Sequence, residues 1–312
     1  MEHMSDCAVC NVCPRRCNVP RGTGFCGMPA AMRVSSVCLH RGEEPPLNPI
    51  VNVFFEGCNL QCIYCQNWQI SSKPMPGHVA ANTFGTVALA DEIERALPQS
   101  PSPLLGFVTA AHYPDAVPAV INELHRRGLF PVVVYNSSGY ESIDTLRSLE
   151  GLVDIYLPDL KYMDPALAAA YSHAADYPQV ATAAIAEMRR QVGPSLKVDD
   201  AGFAYRGLIV RHLVLPGALD NTRRCLEWLA DAMPPSLTLS LMAQYFPPHP
   251  HLPSPLDRHL RADEYAAAVD AAERLGFCNI YAQELSATDN YRPDFANAHN
   301  PFAPHNADMP SV

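Results

Sequence analysis

The sequence predicts an α/β protein in which a parallel β-sheet carries helices on its outside, and three observations support this class. Apolar runs rich in β-branched residues alternate with helical stretches along most of the chain from residue 50 onward. The 30 prolines fall mostly in loops and at strand ends, where they interrupt neither kind of element. With 312 residues, 48% of them hydrophobic, the chain is long enough for one large domain or two smaller ones.

Six strand–helix units follow one additional strand near the N-terminus. The predicted strands are residues 34–39, 50–55, 104–109, 131–135, 153–157, 208–215 and 237–244, with an edge strand at 277–282. The predicted helices are residues 86–96, 115–127, 143–149, 165–171, 178–191, 222–232 and 262–275. In helix 86–96 the apolar Val87 and Ile93 are set among charged residues, and helix 115–127 ends at Gly128. Repeated units of this kind predict parallel strands joined by helical crossovers.

Composition excludes several classes of protein. The formal net charge of −10 argues against a nucleic-acid-binding surface. No apolar run reaches the length of a membrane span, and the N-terminus lacks the charged and then apolar pattern of a signal peptide. We therefore expect a cytoplasmic protein without nucleic-acid or membrane partners. The 11 cysteines cluster at short spacings, which favours metal binding over disulfides in such a compartment.

The main chemical signal is a group of three cysteines directly after the strand at 50–55. Cys58, Cys62 and Cys65 have the spacing C-x3-C-x2-C and lie on the loop that follows this strand. Three thiolates on a short loop hold three corners of an iron–sulfur cubane and leave the fourth iron open to a small molecule. Structural zinc is the alternative, but it needs a fourth ligand close by, and none follows soon after Cys65.

A second cysteine group precedes the barrel strands. Cys10, Cys13, Cys17 and Cys26 follow a C-x2-C-x3-C spacing completed within a glycine-rich stretch. Four thiols satisfy either a tetrahedral zinc ion or a second iron–sulfur cluster, and the spacing does not choose between them. We expect residues 1–48 to form a cysteine-rich metal-binding segment.

The loop around Cys58, Cys62 and Cys65 resembles the signature loop of the radical S-adenosylmethionine (radical SAM) superfamily, including the aromatic Tyr64 before the last cysteine. In detail it is similar to pyruvate formate-lyase activating enzyme-like proteins of the PflX type. The resemblance implies a partial (β/α)6 TIM-like barrel over residues 49–284, with the N-terminal cysteine-rich extension and a C-terminal arm at 285–312. It also implies a 4Fe-4S cluster that binds S-adenosylmethionine (AdoMet) and cleaves it reductively to a 5′-deoxyadenosyl radical, which abstracts hydrogen from a substrate.

The same resemblance implies partners. A glycine of a partner glycyl radical enzyme is the leading expectation for the substrate, and flavodoxin or ferredoxin is expected as the electron donor. The alternative is a radical SAM oxidoreductase that modifies a small molecule or another peptide. The third interpretation is an iron–sulfur or zinc protein without enzymatic activity.

Catalytic groups of such barrels lie at the C-terminal ends of the strands, so these ends identify further candidates. The strand at 153–157 is followed by Asp159 and Lys161, in a triplet that resembles that of pyruvate formate-lyase activating enzyme. Two residues apart on extended chain, the two side chains face the same side. We expect catalytic roles for both, with a surface ion pair as the alternative.

Three other strand ends supply expected AdoMet contacts. Asn136 and Ser138 resemble the Asn-Gly turn of the family, although simple turn chemistry explains them equally well. His112 lies where the activating enzymes carry a Gly-Gly-Glu-Pro-like stretch, from which this chain departs, and a structural histidine is the alternative. Arg211 lies within an apolar strand, where it is costly unless paired, and its fork suits the methionine carboxylate of AdoMet.

Two more stretches are candidates by position. At the end of the strand at 237–244, either Gln244 or Tyr245 is expected to close the pocket. The charged loop at 40–46 precedes the first barrel strand, and it either lines the site or is solvated.

Overall fold

A computed structural model describes residues 9–71, 81–285 and 292–303. The strands are β1 (Met32–His40), β2 (Ile50–Phe55), β3 (Asn82–Phe84), β4 (Leu104–Val108), β5 (Val132–Ser137), β6 (Ile155–Pro158), β7 (Lys197–Val198), β8 (Ala204–Leu213), β9 (Thr238–Met242) and β10 (Asn279–Ala282). The helices are α1 (Trp68–Ser71), α2 (Thr86–Ala96), α3 (Ala116–Arg126), α4 (Ile143–Ser148), α5 (Pro165–Ser172), α6 (Tyr177–Val192), α7 (Leu219–Ala232) and α8 (Ala262–Arg274). Two short 3-10 turns, Pro45–Leu47 and Leu97–Gln99, complete the described elements.

All the strands belong to one sheet with a parallel centre. Its order is β10-β9-β8-β6-β5-β4-β2-β1-β3, and β7 pairs with β8 outside this path. Seven strands from β10 to β2 run parallel, whereas β1 is antiparallel to β2 and β3 is antiparallel to β1. The predicted α/β class is therefore confirmed, including the edge strand β10. The sequence pattern missed only the short strands β3 and β7.

The sheet curves into a partial barrel that remains open on one side. Within the described residues, β10 and β3 form the two ends of the strand order, and no strand pairing joins them. Every residue of β2, β4, β6 and β9 is buried, because parallel strands are covered by helices on one face and by the barrel interior on the other. The C-terminal ends of the parallel strands therefore meet around a common interior.

The helices follow from amphipathic patterns and caps. In α3 the buried residues Val117, Val120, Ile121 and Leu124 recur at helical spacing and face the sheet. Asp164 caps α5 by accepting hydrogen bonds from the amides of Ala166 and Leu167 at 2.8 and 3.3 Å. None of the helices described is long and apolar enough to cross a membrane.

The two ends of the chain pack onto this sheet. Strand β1, which lies within the predicted segment 1–48, pairs with β2 from Val34 opposite Phe55 to His40 opposite Ile50. Of the predicted C-terminal arm, the structure describes residue 285 and residues 292–303, and the remainder lies outside the described residues. The domain boundaries themselves stay predictions.

Candidate active site

The candidate site is a cavity of about 570 Å³ at the C-terminal ends of the parallel strands. Nine of the residues predicted from sequence line it: Cys58, Cys62, Tyr64, Cys65, Asn136, Ser138, Asp159, Lys161 and Arg211. Gln244 and the charged loop after β1, including Glu43 and Glu44, also contribute to its wall. The loop at 40–46 therefore lines the site, which decides between its two interpretations.

The loop carrying the three cysteines turns sharply after β2. Gly57 has a φ of +84°, and a Cβ at this position would lie 2.3 Å from the side chain of Met28. Only glycine meets both conditions at little cost. The amide of Gly57 donates to the carbonyl of Ile70 at 2.7 Å, which ties the start of the loop to α1. The three thiols are thereby presented to the cavity from one short segment.

The chemistry of these thiols suits a metal cluster. Burial raises the pKa of the Cys58 thiol to about 11 and also raises the pKa values of Cys62 and Cys65. Without a metal the thiols are therefore protonated at neutral pH, and metal binding releases the protons. Within residues 9–71, 81–285 and 292–303, no three His, Cys, Asp or Glu side chains lie close enough together to hold a single metal ion. The donor set of three cysteines on one wall of the cavity fits three corners of a 4Fe-4S cluster.

Hydrogen-bond donors from elsewhere in the chain approach these sulfurs. The hydroxyl of Ser172, the last residue of α5, donates to Cys62 Sγ at 2.9 Å. The hydroxyl of Ser71, the last residue of α1, donates to Cys65 Sγ at 3.1 Å. The amide of Leu60 lies 3.4 Å from Cys58 Sγ. Such bonds stabilise negative charge on ligating sulfur, and sequence reasoning missed both serines because nothing near them marks the contact.

Tyr64, the aromatic residue of the loop, belongs to a buried hydroxyl chain. Its hydroxyl lies 2.6 Å from that of Tyr162, which in turn lies 2.8 Å from the hydroxyl of Ser172. The chain therefore runs from Tyr64 through Tyr162 and Ser172 to the Cys62 sulfur. Burial raises the pKa of Tyr64 and of Tyr162 well above the usual value, so both remain neutral donors.

Asp159 and Lys161 form an ion pair within the cavity wall. Lys161 Nζ donates to Asp159 Oδ2 at 2.5 Å, and both side chains are largely buried. Burial alone would lower the pKa of Lys161, but the charge of Asp159 raises it above its usual value. The lysine is therefore a fixed positive charge beside two of the cluster thiols. Their roles in catalysis stay predictions.

Arg211 is paired with carboxylates of its own chain. Its Nε and Nη2 bind the two carboxylate oxygens of Glu44, each at 2.8 Å, and Nη2 also contacts Glu43. Arg211 lines the cavity, and its contact with the carboxylate of AdoMet stays a prediction. Burial alone would raise the pKa of Glu43, but the charge of Arg211 holds it below its usual value. Asn52 completes the network by donating to Glu43 at 2.9 Å.

His112 follows β4, the strand end at which the resemblance placed it. It is buried outside the set of residues that line the cavity, and its Nε2 lies 2.7 Å from the carbonyl oxygen of Glu56. Burial lowers the pKa of its imidazole to about 4, so it is neutral at physiological pH. Its ring packs against Tyr113, as a structural histidine would, and its contact with AdoMet stays a prediction.

Asn136, the last residue but one of β5, and Ser138, which follows the strand, line the cavity as predicted, and their contact with AdoMet stays a prediction. Of the two candidates that follow β9, Gln244 lines the cavity. Tyr245 is buried, and its hydroxyl donates to the carbonyl of Leu256 at 2.5 Å. Gln244 exchanges hydrogen bonds with Gln66 of the cysteine loop at 2.7 and 2.9 Å.

The N-terminal cysteines lie against the back of the same loop. Cys10 and Cys13 are buried, and Cys17 and Cys26 are partly exposed. The pKa of Cys13 is raised to about 11 and that of Cys26 is also raised, mainly by burial and in addition by the neighbouring thiols.

Arg15 connects this segment to the cluster loop. Its Nε donates to the carbonyl of Asn59 at 2.7 Å, and Nη2 donates to the carbonyl of Ser172 at 3.0 Å. Its guanidinium also lies 3.9 Å from the centre of the Phe25 ring, which adds a cation–π contact.

Comparison with known proteins identifies the architecture. The uncharacterized protein MJ0674 of Methanocaldococcus jannaschii is 29% identical over 282 residues, covering 87% of this chain and 76% of that protein. The structure of native anSMEcpe with bound AdoMet has a TM-score of 0.51 at 10% identity, over 78% of this chain and 64% of that one. HydG, a maturase of the FeFe-hydrogenase, has a TM-score of 0.50 at 12% identity, over 78% of this chain and 53% of that one. No protein-family model matches the sequence.

The chain therefore has the partial-barrel fold of the radical SAM type, and it spans less than two thirds of the length of either solved structure. The cysteine-rich N-terminus adds to this fold. At these identities the similarity defines the architecture, and the three-cysteine loop supplies the separate evidence for chemistry.

Proposed function

We propose that this protein is a radical SAM enzyme that cleaves AdoMet reductively. The observation that carries the proposal is the convergence of Cys58, Cys62 and Cys65 on one cavity at the C-terminal ends of the parallel strands. A 4Fe-4S cluster held there would supply one electron to the sulfonium of AdoMet, which gives methionine and a 5′-deoxyadenosyl radical that takes a hydrogen atom from the substrate.

The chain's own residues hold and orient the reactants. The three thiolates bind the cluster, and the hydroxyls of Ser71 and Ser172 stabilise the charge on two of them. Lys161 places a positive charge in the cavity wall, and its hydrogen bond to Asp159 fixes the position of that charge. Asn136 and Ser138 present short polar groups to the cavity at the strand end where a ribose or carboxylate would bind.

The test is formation of 5′-deoxyadenosine with dithionite under anaerobic conditions. Cys58→Ala, Cys62→Ala and Cys65→Ala should each reduce it to background, because each removes a ligand of the cluster. Cys278→Ala is the matched control, since this thiol is exposed and is not among the residues that line the cavity. Turnover at the unmodified rate in any of the three ligand variants would contradict the proposal.

The resemblance of the cysteine loop supports a finer proposal, in which the protein activates a glycyl radical enzyme in the cytoplasm by abstracting hydrogen from a glycine. Flavodoxin or ferredoxin would then be the electron donor. The alternative is a small molecule or another peptide as substrate. A glycine within a polypeptide requires an opening that admits a chain segment, whereas a small molecule does not.

We further propose that Cys10, Cys13, Cys17 and Cys26 hold a separate metal centre. Cys13 and Cys26 each interact electrostatically with other thiols of the set, and Arg15 between Cys13 and Cys17 binds the carbonyl of Asn59, which supports this proposal. An auxiliary iron–sulfur cluster is favoured over zinc, because the neighbouring cluster requires the same assembly chemistry. Metal analysis of a triple Cys58/Cys62/Cys65→Ala variant, reconstituted anaerobically, should retain iron and sulfide in equal amounts. Zinc alone would identify a structural cap, and neither metal would refute the proposal.

A further inference from the structure

A first bridge, made of ion pairs, crosses the interior of the partial barrel. Glu43 and Glu44 lie on the loop between β1 and β2, and their carboxylates reach Arg211 on β8. These residues are 167 and 168 positions apart in sequence. The contact therefore joins the loop before β2 to β8, and all three residues line the cavity.

A second bridge crosses near the cysteine loop. Gln66 binds Gln244 through two hydrogen bonds, and Gln283, which follows β10, donates to Gln244 Oε1 at 2.8 Å. The three amides thus connect the loop after β2 with the ends of β9 and β10. All three glutamines line the cavity.

The segment at residues 292–303 forms the third bridge. On the β2 side, Phe295 is fully buried with its ring 5.4 Å from that of Phe54, and Phe302 packs 4.1 Å from His40. On the β9 side, the guanidinium of Arg292 lies 4.8 Å from the ring of Phe246, the fourth residue after the end of β9. The segment therefore reaches both margins of the opening.

Polar contacts fix this segment in place. Gln69 of α1 donates to Asp294 Oδ1 at 3.1 Å and accepts from the amide of Phe295 at 2.8 Å. Ser36 of β1 donates to the carbonyl of Ala298 at 2.6 Å. Pro293 and Phe302 form part of the cavity wall itself. The segment is thus both anchored on the sheet and in contact with the interior.

We propose that residues 292–303 close the open side of the barrel and that the substrate is a small molecule, not a loop of a partner polypeptide. This inference rests on the proposed radical SAM reaction. With the interior, the cysteine loop and the lateral face each bridged, a polypeptide that entered through the lateral face would have to displace Phe295 from its fully buried position. A small molecule requires only the space inside the cavity.

Closure is tested on the cluster-loaded protein with bathophenanthroline disulfonate, a bulky iron chelator, by following loss of the cluster's visible absorbance. Phe295→Asp should detach the segment and accelerate bleaching about tenfold, because a charged carboxylate cannot remain in this apolar site. Phe130→Asp is the matched control, since Phe130 is 71% exposed and lies outside the cavity wall. Should Phe295→Asp not fold, Gln69→Ala removes both hydrogen bonds to the segment and should accelerate bleaching several-fold. Bleaching at the unmodified rate in the folded variants would refute closure.

The substrate class is tested with the unmodified enzyme, AdoMet and dithionite. Cell extract is divided into a small-molecule ultrafiltrate and a protein fraction, and each is assayed for stimulation of 5′-deoxyadenosine formation. Stimulation by the ultrafiltrate is expected, and stimulation by the protein fraction alone would overturn the inference. An enzyme that forms no 5′-deoxyadenosine under any of these conditions would refute the proposed reaction, whereas the chelator experiment would still report on closure.

Discussion

Removing the hydroxyl of Ser172 should lower the reduction potential of the cluster held at Cys58, Cys62 and Cys65. The hydroxyl donates to Cys62 Sγ at 2.9 Å and is itself hydrogen-bonded to Tyr162 at 2.8 Å. One-electron reduction adds negative charge to the cluster, so a hydrogen bond to a ligating sulfur stabilises the reduced form more than the oxidised form. Ser172→Ala removes this difference while leaving all three thiolates in place.

The magnitude follows from the strength of a single charge-assisted hydrogen bond. Hydrogen bonds to charged groups contribute about 1.5–3 kcal/mol, and most of that is common to both oxidation states. If about 1 kcal/mol is specific to the reduced state, the potential falls by about 40 mV, since 59 mV corresponds to a tenfold change for one electron. Ser71→Ala should have a similar effect through Cys65, because its hydroxyl lies 3.1 Å from that sulfur.

The assay is an anaerobic redox titration followed by electron paramagnetic resonance of the reduced cluster. Ser148→Ala is the matched control, because Ser148 ends α4 as Ser172 ends α5, and its hydroxyl donates to the carbonyl of Thr145 within its own helix at 2.7 Å. Iron content and thermal stability should be measured on every variant to establish equal loading. An unchanged potential in a fully loaded Ser172→Ala protein would refute the argument.

The other predictions concern buried charges. Burial raises the pKa of Glu141 from 4.5 to about 7, so the folded state binds the proton of this carboxyl more tightly than the unfolded state does. The contribution of Glu141 to the free energy of unfolding is therefore complete below pH 4.5 and is lost as the pH rises through 7. Glu141→Gln should remove this loss, which is about 3 kcal/mol. The measurement is thermal denaturation of the apoprotein at pH 5 and pH 8, and the same loss of stability with pH in both proteins would contradict the prediction. Arg211→Lys should reduce the free energy of unfolding by about 1–3 kcal/mol, because lysine cannot bind Glu44 through two nitrogens, and reduced AdoMet affinity without a stability loss would contradict this role. Asp159→Asn should reduce 5′-deoxyadenosine formation more than it reduces stability, because it frees the charge of Lys161 beside the cluster thiols, and an early-melting variant with normal turnover would identify a structural ion pair.

Much of the fold could be predicted because its elements carry strong local patterns. The strand Ile50–Phe55 and the helix Thr86–Ala96 have the bounds that the sequence predicts, since both are apolar runs or periodic patterns with clear ends. Strands Asn82–Phe84 and Lys197–Val198 were missed because two or three residues carry no periodicity. They form only because β1 and β8 offer them a hydrogen-bonding edge.

The candidate site, too, has a part that local sequence predicts and a part that it does not. Spacing alone predicts the three-cysteine loop, and the rule that parallel strands end at one side of the sheet places Asn136 and Asp159 beside it. The partner of Arg211 depends on a loop far away in sequence, and Ser172 approaches Cys62 across 110 positions. Contacts of this kind arise from packing of the whole chain, so no local sequence pattern predicts them.

Arg15 also constrains the order in which this protein is completed during synthesis. Its guanidinium holds the carbonyl of Asn59 next to Cys58, but its other carbonyl partners, on Ser172 and His173, lie 157 and 158 positions later in the chain. Chains are made from the N-terminus, so the cysteine loop leaves the ribosome long before these partners exist. The contacts by which Arg15 ties the cysteine loop to the end of α5 can therefore form only once α5 has been translated.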